Sequence, residues 1–314
     1  MPLHKQHPTR RMNVKAKPVH FSVLGALGLA ACGGGGSLAP TDGGGSSGFS
    51  LSGDVVKGPV SNALVFVDYN NDGQLSVGEP SQRTDVNGNF EFTDLEAEGP
   101  IVAITDATSV DTSTGLVISG MLLTAPEGST VISPLTTLMQ QANLTSAEVA
   151  SALNLTSGID LTSYNPFAAG VNADTALAVE IAAQQVSAVI RGISSAMTEA
   201  GVSSADAAEL ASNAVAEALA DANTVDLTDS SLIASAITNA TSGLSSSQAS
   251  AVSQVASAVA TATANLNEVI AQSTSISSSD QFALIDDLLA QITAAVENDG
   301  DTSLIEFTDP QAVE

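Results

Sequence analysis

Residues 68–79 read D-Y-N-N-D-G-Q-L-S-V-G-E, with an oxygen-bearing residue at positions 1, 3, 5, 7, 9 and 12 of the stretch. Asp68, Asn70 and Asp72 supply side-chain oxygens and Gln74 its backbone carbonyl. Ser76 has a hydroxyl that can hold a water, and Glu79 a carboxylate able to bind through both oxygens. An all-oxygen set at this spacing suits a calcium ion, a hard cation that takes about six to eight oxygen ligands in flexible geometry. Gly73 falls where such a loop turns sharply, and the apolar Leu75 follows it at position 8. The spacing names a ligand, but neither a reaction nor a macromolecular partner. Asp106 and Asp111 are a second pair of nearby carboxylates. Either they form another cation site or they lie in a solvated loop, and the loop is the expectation.

Other chemistry is excluded by what the chain lacks. His4, His7 and His20, the three histidines, and five of the eight basic residues all precede Cys32, the single cysteine. Beyond it Lys57, Arg83 and Arg191 stand against 34 acidic residues, a net charge of −31. Such a surface repels phosphate backbones, so nucleic acid is not an expected partner. With no histidine and no second cysteine, this stretch cannot build a Ser-His-Asp or Cys-His nucleophile, nor a zinc site of the usual ligands. Carboxylate-only hydrolysis remains formally open, but aromatics make up 3% of the chain and give a sugar cleft few platforms. No enzymatic activity is expected. At 44% hydrophobic, the chain still has the apolar content that folding requires.

The elements that must hold the loop have a β pattern. Residues 49–132 alternate short runs rich in valine, isoleucine and phenylalanine with glycine, proline and Asn-Gly. Residues 63–67 form a near-continuous apolar run that leads directly into the loop. Residues 89–93 alternate, placing Phe90 and Phe92 on one face, and residues 101–104 and 130–132 are further strands. Asn87-Gly88 favours a tight hairpin turn. A span of roughly 85 residues with strands at this spacing fits a small β-sandwich. Pro80 disfavours helical conformation directly after the loop, so the loop is of EF-hand type without the flanking helices.

The order Gly58-Pro59-Val60-Ser61-Asn62-Ala63, strand, Asp68-Tyr69-Asn70-Asn71-Asp72-Gly73, Gly78-Glu79-Pro80 and Thr84-Asp85-Val86-Asn87-Gly88-Asn89-Phe90 resembles the B-type repeats of bacterial surface adhesins. It is also similar to carboxypeptidase regulatory-like domains. The resemblance implies a sandwich of the prealbumin or Cna-B kind with a calcium loop set in a β framework. It departs from the adhesin pattern in being a single copy, without the tandem array that makes a stalk. Dockerin modules share the loop pattern, but they carry it twice with helices following, and no second copy is visible here.

Ser133-Pro134-Leu135-Thr136-Thr137-Leu138 opens an alanine- and serine-rich stretch. Ser133 suits a helix cap and Pro134 a first helical position. The run resembles the junction that follows such β-domains in large bacterial surface proteins. A short helix starts at Ser146 with Glu148 and Val149, and a loop over residues 161–167 ends it. Val179, Ala182, Val186, Val189, Ile193 and Ala196 recur at steps of 3 and 4, as do Val252, Val255, Val259, Ala262, Leu266 and Val269. These stripes can pair between chains or form a bundle core within one, and the intrachain core is the expectation. Further helices are expected over 205–220, 231–239 and 280–297. The expected fold is a segregated α+β chain: a β-sandwich over 49–132, an α-helical bundle over 133–299 and an acidic tail over 300–314.

Residues 1–31 indicate the destination. Lys5, Arg10, Arg11, Lys15 and Lys17 precede an apolar run over 21–31, about the length of a signal-peptide core and well short of the ~20 residues that span a bilayer. Met12 is an alternative start. Leu29-Ala30-Ala31-Cys32 resembles the lipobox of bacterial lipoproteins, which implies a lipid on Cys32; the alternative is an ordinary secretory signal that leaves a lone thiol. The glycine- and serine-rich residues 32–48 suit a flexible tether. Gly33, where an aspartate would imply inner-membrane retention, points by the same resemblance to the outer membrane. No later stretch is expected to be long and apolar enough to cross a membrane. The expected role is structural or adhesive, with a surface protein or glycan as partner. An extracellular ligand- or glycan-binding module is the alternative, and it would need Tyr69, Tyr164, Phe167 and Phe282 to converge.

Overall fold

The computed structural model describes residues 48–221, 224–276, 279–298 and 300–305. The leader, Cys32 and nearly all of the tether lie outside them, as does most of the acidic tail. Strands come first: β1 Phe49–Val55, β2 Val60–Ser61, β3 Leu64–Val67, β4 Ser81–Arg83, β5 Asn89–Leu95, β6 Ile101–Ile104, β7 Val110–Asp111, β8 Leu116–Val117, β9 Leu122–Ala125 and β10 Val131–Ile132. Helices follow: α1 Pro134–Ala142, α2 Ser146–Ala152, α3 Ala173–Glu199, α4 Ser204–Ala220, α5 Ser230–Ala240, α6 Ser246–Ala271 and α7 Ser279–Glu297. The chain is α+β, with β structure ahead of helical structure.

The strands form a four-stranded antiparallel sheet in the order β4-β3-β6-β9, a three-stranded sheet β10-β1-β5 and a small one, β2-β7-β8. β1 runs antiparallel to β5 and parallel to β10. Because side chains alternate along a strand, Val65 and Val67, Ile101 and Ala103, and Leu123 and Ala125 leave the four-stranded sheet on one face. There they join Val55, Phe90, Phe92 and Ile132 of the three-stranded sheet in one apolar core. Phe90 and Phe92 share that face, their ring centroids 5.9 Å apart. Phe66, Val102 and Thr124 are buried on the other face, and α1 packs against β9.

The Asn-Gly turn forms, with Gly88 N–H donating to the Asp85 carbonyl at 3.1 Å, but it makes no hairpin. β4 and β5 belong to different sheets, so the turn carries the chain from the four-stranded sheet to the three-stranded one. Gly88 is required there twice over, by φ 83° and by the Val55 carbonyl oxygen 2.9 Å from where a Cβ would stand.

Ser133 caps α1 in a capping box with Thr136. The two threonines of this run also join the helix to the sheet: Thr137 Oγ1 accepts from Thr124 N–H at 2.9 Å, and Thr136 Oγ1 lies 2.9 Å from the Thr124 carbonyl. Both apolar stripes are buried inside the chain, those of α3 and α6 packing together in a core shared with α1, α4, α5 and α7. α3 is long and apolar enough to cross a membrane, contrary to the expectation for the later chain. However, 78% of its apolar window is buried in protein, so the hydrophobicity that qualifies it serves the core.

Candidate metal centre

β3 and β4 pair antiparallel, Leu64 with Arg83 and Phe66 with Ser81. The loop over residues 68–79, with Pro80, closes that pair, and Val67 N–H donates to the Pro80 carbonyl at 3.2 Å. Strands therefore stand on both sides of the loop, as the proline after it suggests. Asp68 is 2% exposed and its N–H donates to the Pro100 carbonyl at 2.9 Å, which fixes the loop's first residue to the strand framework.

The loop folds around its own side-chain oxygens. Asp68 Oδ2 accepts from Gly73 N–H at 2.7 Å and its Oδ1 from Asp72 N–H at 3.1 Å. Asn70 Oδ1 also accepts from Asp72 N–H, at 3.0 Å, while Asn70 Nδ2 donates to Asp72 Oδ2 at 2.9 Å and to Ser76 Oγ at 3.4 Å. Asp72 Oδ1 accepts from Gln74 N–H at 2.8 Å. Glu79 reaches back across the loop, accepting from Tyr69 N–H at 3.0 Å and from Ser76 N–H at 2.7 Å. Gly73 takes φ 70° with open space around it, so this position needs glycine for its backbone and not for room. The structure thus brings Asp68, Asn70, Asp72, Ser76 and Glu79 into one network, with Gln74 joined through its backbone.

Among the described residues no cation pairs with Asp68, Asp72 or Glu79. The direct ion pairs among the described residues are Arg83–Asp106 and Arg191–Asp286, both at 2.6 Å. Nor are three histidine, cysteine, aspartate or glutamate side chains grouped to hold a metal ion among the described residues; the carboxylates of Asp68, Asp72 and Glu79 accept from backbone N–H groups of the loop. The donor set is entirely oxygen, which suits calcium and not a softer metal.

One neighbour of the loop carries no signal in sequence. Gln140 Nε2 of α1 donates to Asn71 Oδ1 at 3.2 Å, and a cavity of about 280 Å³ lies between Asp68, Asp72 and Pro100 on one side and Gln140, Gln141 and Glu209 on the other. The loop therefore sits where the strands meet α1 and α4, a contact 69 residues distant along the chain.

Asp106 and Asp111 do not share a site. Asp106 is exposed; the Thr108 hydroxyl and then Arg83 hold its carboxyl down at about 2. Asp111 is fully buried, which corrects the solvated-loop expectation for that residue. The aromatic convergence also fails for Tyr69 and Tyr164, which pack against separate cores, and the Phe282 side chain is outside those described. Comparison with known proteins finds no matching family model, no similar curated protein and no similar solved structure.

Proposed function

We propose that this chain is an exported, lipid-anchored calcium-binding protein with a structural or adhesive role and no catalysis. The observation that carries the calcium reading is a single loop whose three carboxylates and one asparagine amide turn inward on backbone N–H groups, with no cation paired to them among the described residues. A calcium ion would be held by Asp68, Asn70, Asp72, the Gln74 carbonyl and Glu79, with Ser76 through a water. The ion would supply charge neutralisation and a fixed loop shape at the joint between strands and helices. We read the two larger sheets, which share one core, as a prealbumin- or Cna-B-like sandwich, and the helices as a bundle that it supports. The leader pattern and Cys32 support attachment to the bacterial outer membrane through a lipid.

Extracellular loops of this type bind calcium at roughly 10⁻⁴ to 10⁻³ M, so 10 mM calcium is expected to stabilise the fold by about 1.4–2.7 kcal/mol. Calcium titration followed by thermal melting tests this: the melting temperature rises for the native chain, and the rise disappears in Asp68→Ala with Glu79→Ala. A melting temperature indifferent to calcium and to both substitutions would sink the reading. Mass spectrometry of the native N-terminus tests the anchor, and an unmodified Cys32 would count against it.

A further inference from the structure

Three ionisable side chains from distant parts of the sequence meet in the interior. Lys57, in the turn after β1, is 3% exposed; Asp111 of β7 and Glu180 of α3 are both 0% exposed. Val56 and Pro59 bridge across the turn. Gly58 takes φ 66°, and a Cβ on it would stand 2.0 Å from Asp111 Oδ1, so the Asp111 carboxylate rests on the Gly58 backbone. Glu180 approaches the same turn from the helix, close enough that the Gly58 backbone N–H and the Lys57 charge both favour its ionised form. One helical turn on, Gln184 Nε2 donates to Glu180 Oε1 at 2.6 Å. Asp111 Oδ1 accepts from Ser113 N–H at 2.9 Å and from the Ser113 hydroxyl at 2.6 Å. Asp111 Oδ2 and Glu180 Oε2 are buried without a hydrogen-bond partner.

Lys57 closes neither of the two direct ion pairs of the described residues. Its charge and that of Asp111 face Glu180 across the interface, while Arg191 of α3 and Asp286 of α7 act on Lys57. Two carboxylates and one ammonium cannot all be ionised here without an uncompensated negative charge away from water, an expensive arrangement. A proton on one carboxylate resolves it. Burial, helped by the Asp111 charge, pushes Glu180 up to about 7 against the opposing pull of Gln184, Lys57 and Gly58. Burial, with Arg191, pulls Lys57 below its ordinary value.

We propose that Lys57, Asp111 and Glu180 form a pH-gated latch between the β region and helix α3, closed while Glu180 carries its proton and loosened when it ionises. Glu180 titrates at about 7 when folded and near 4.5 when unfolded. Its contribution is therefore fully present below about pH 4.5 and is lost as the pH rises through about 7. Lys57 acts in the opposite sense, its contribution being present above 10.5 and lost as the pH falls through its lowered folded value. Beyond Cys32 there is no histidine, the side chain that would otherwise titrate near neutrality. A near-neutral transition in this part of the chain therefore reports the latch. The device does not depend on calcium.

Hydrogen exchange of the full chain at residues 56–60 and 176–188 provides the test, with rates corrected for the intrinsic pH dependence of exchange. Between about pH 6 and pH 8.5 protection in the native chain is expected to fall roughly tenfold, and to stay flat in Glu180→Gln, which is permanently neutral. A flat native profile, or an unchanged slope in the variant, would overturn the latch. If Glu180→Gln fails to fold, the carboxyl ¹³C shift of Glu180 in the native chain decides: a midpoint near neutrality supports the proposal and one below about pH 5 removes it. Lys57→Met should raise that midpoint by removing the facing positive charge, and an unmoved midpoint would break the coupling to Lys57.

Discussion

Gly58 and Gly73 both take a left-handed backbone, at φ 66° and 70°, but for different physical reasons. Around Gly73 there is open space, so an added methyl meets only the conformational penalty of an L-residue in that region, about 1–2 kcal/mol. At Gly58 the same methyl would also overlap the Asp111 carboxylate, which is fully buried and has no open space to move into. Gly73→Ala is therefore expected to lower stability by about 1–2 kcal/mol, and Gly58→Ala by clearly more, upward of about 3 kcal/mol. Urea unfolding of the two variants checks the order, and equal losses would contradict the packing described for the Lys57 turn. At the loop itself, position 6 is a backbone requirement that sequence spacing alone predicts. The Asn71–Gln140 contact is not predictable in that way, because nothing in the residues around Asn71 specifies which helix will arrive beside them.

At the scale of elements, the stripes of α3 and α6 show why an alanine- and serine-rich sequence folds. Small residues let helices approach closely, and the few larger side chains carry the apolar burial. Leu266 is fully buried between the helices, whereas Ser257 on the same helix is exposed. Leu266→Ala is expected to cost about 2–5 kcal/mol and Ser257→Ala to stay within about 0.5 kcal/mol of the native chain, read by denaturant midpoints at constant slope. Gly192 belongs to the same geometry: a Cβ there would stand 3.1 Å from Thr263 Oγ1 of α6, a tight fit that the missing side chain relieves. Periodicity gave the helices and their inward faces. It did not reveal the polar row of Glu180, Gln184 and Ser187, which α3 buries along with its apolar residues.

For the whole molecule, charge is the dominant global quantity. With 34 acidic residues against three basic ones after Cys32, self-repulsion opposes the compact state and is screened by salt. Raising the ionic strength from about 0.01 M to 1 M shortens the screening length from about 30 Å to 3 Å, so the melting temperature is expected to rise by several degrees in sodium chloride without calcium. Calcium should act at millimolar levels where sodium at equal ionic strength does not, and this separates site binding from screening. A calcium effect fully reproduced by sodium would reduce the loop to one more part of the acidic surface.

The sequence by itself determined the order of strands before helices, the loop and its oxygen set, the capped start of α1 and the two inward stripes. Each of these depends on spacing between near neighbours, which a linear text records directly. The pairing of strands across two sheets was settled only in three dimensions, and with it the use of the Asn87-Gly88 turn as a crossover, since a local turn signal does not say where its second strand will pair. The same holds for the lodging of Asp111 against Gly58 and Glu180. Charge is ordinarily kept at the surface, so Asp111 reads as solvated beside Asp106, and only the folded chain, with Gly58 about 50 residues earlier against its carboxylate, encloses it.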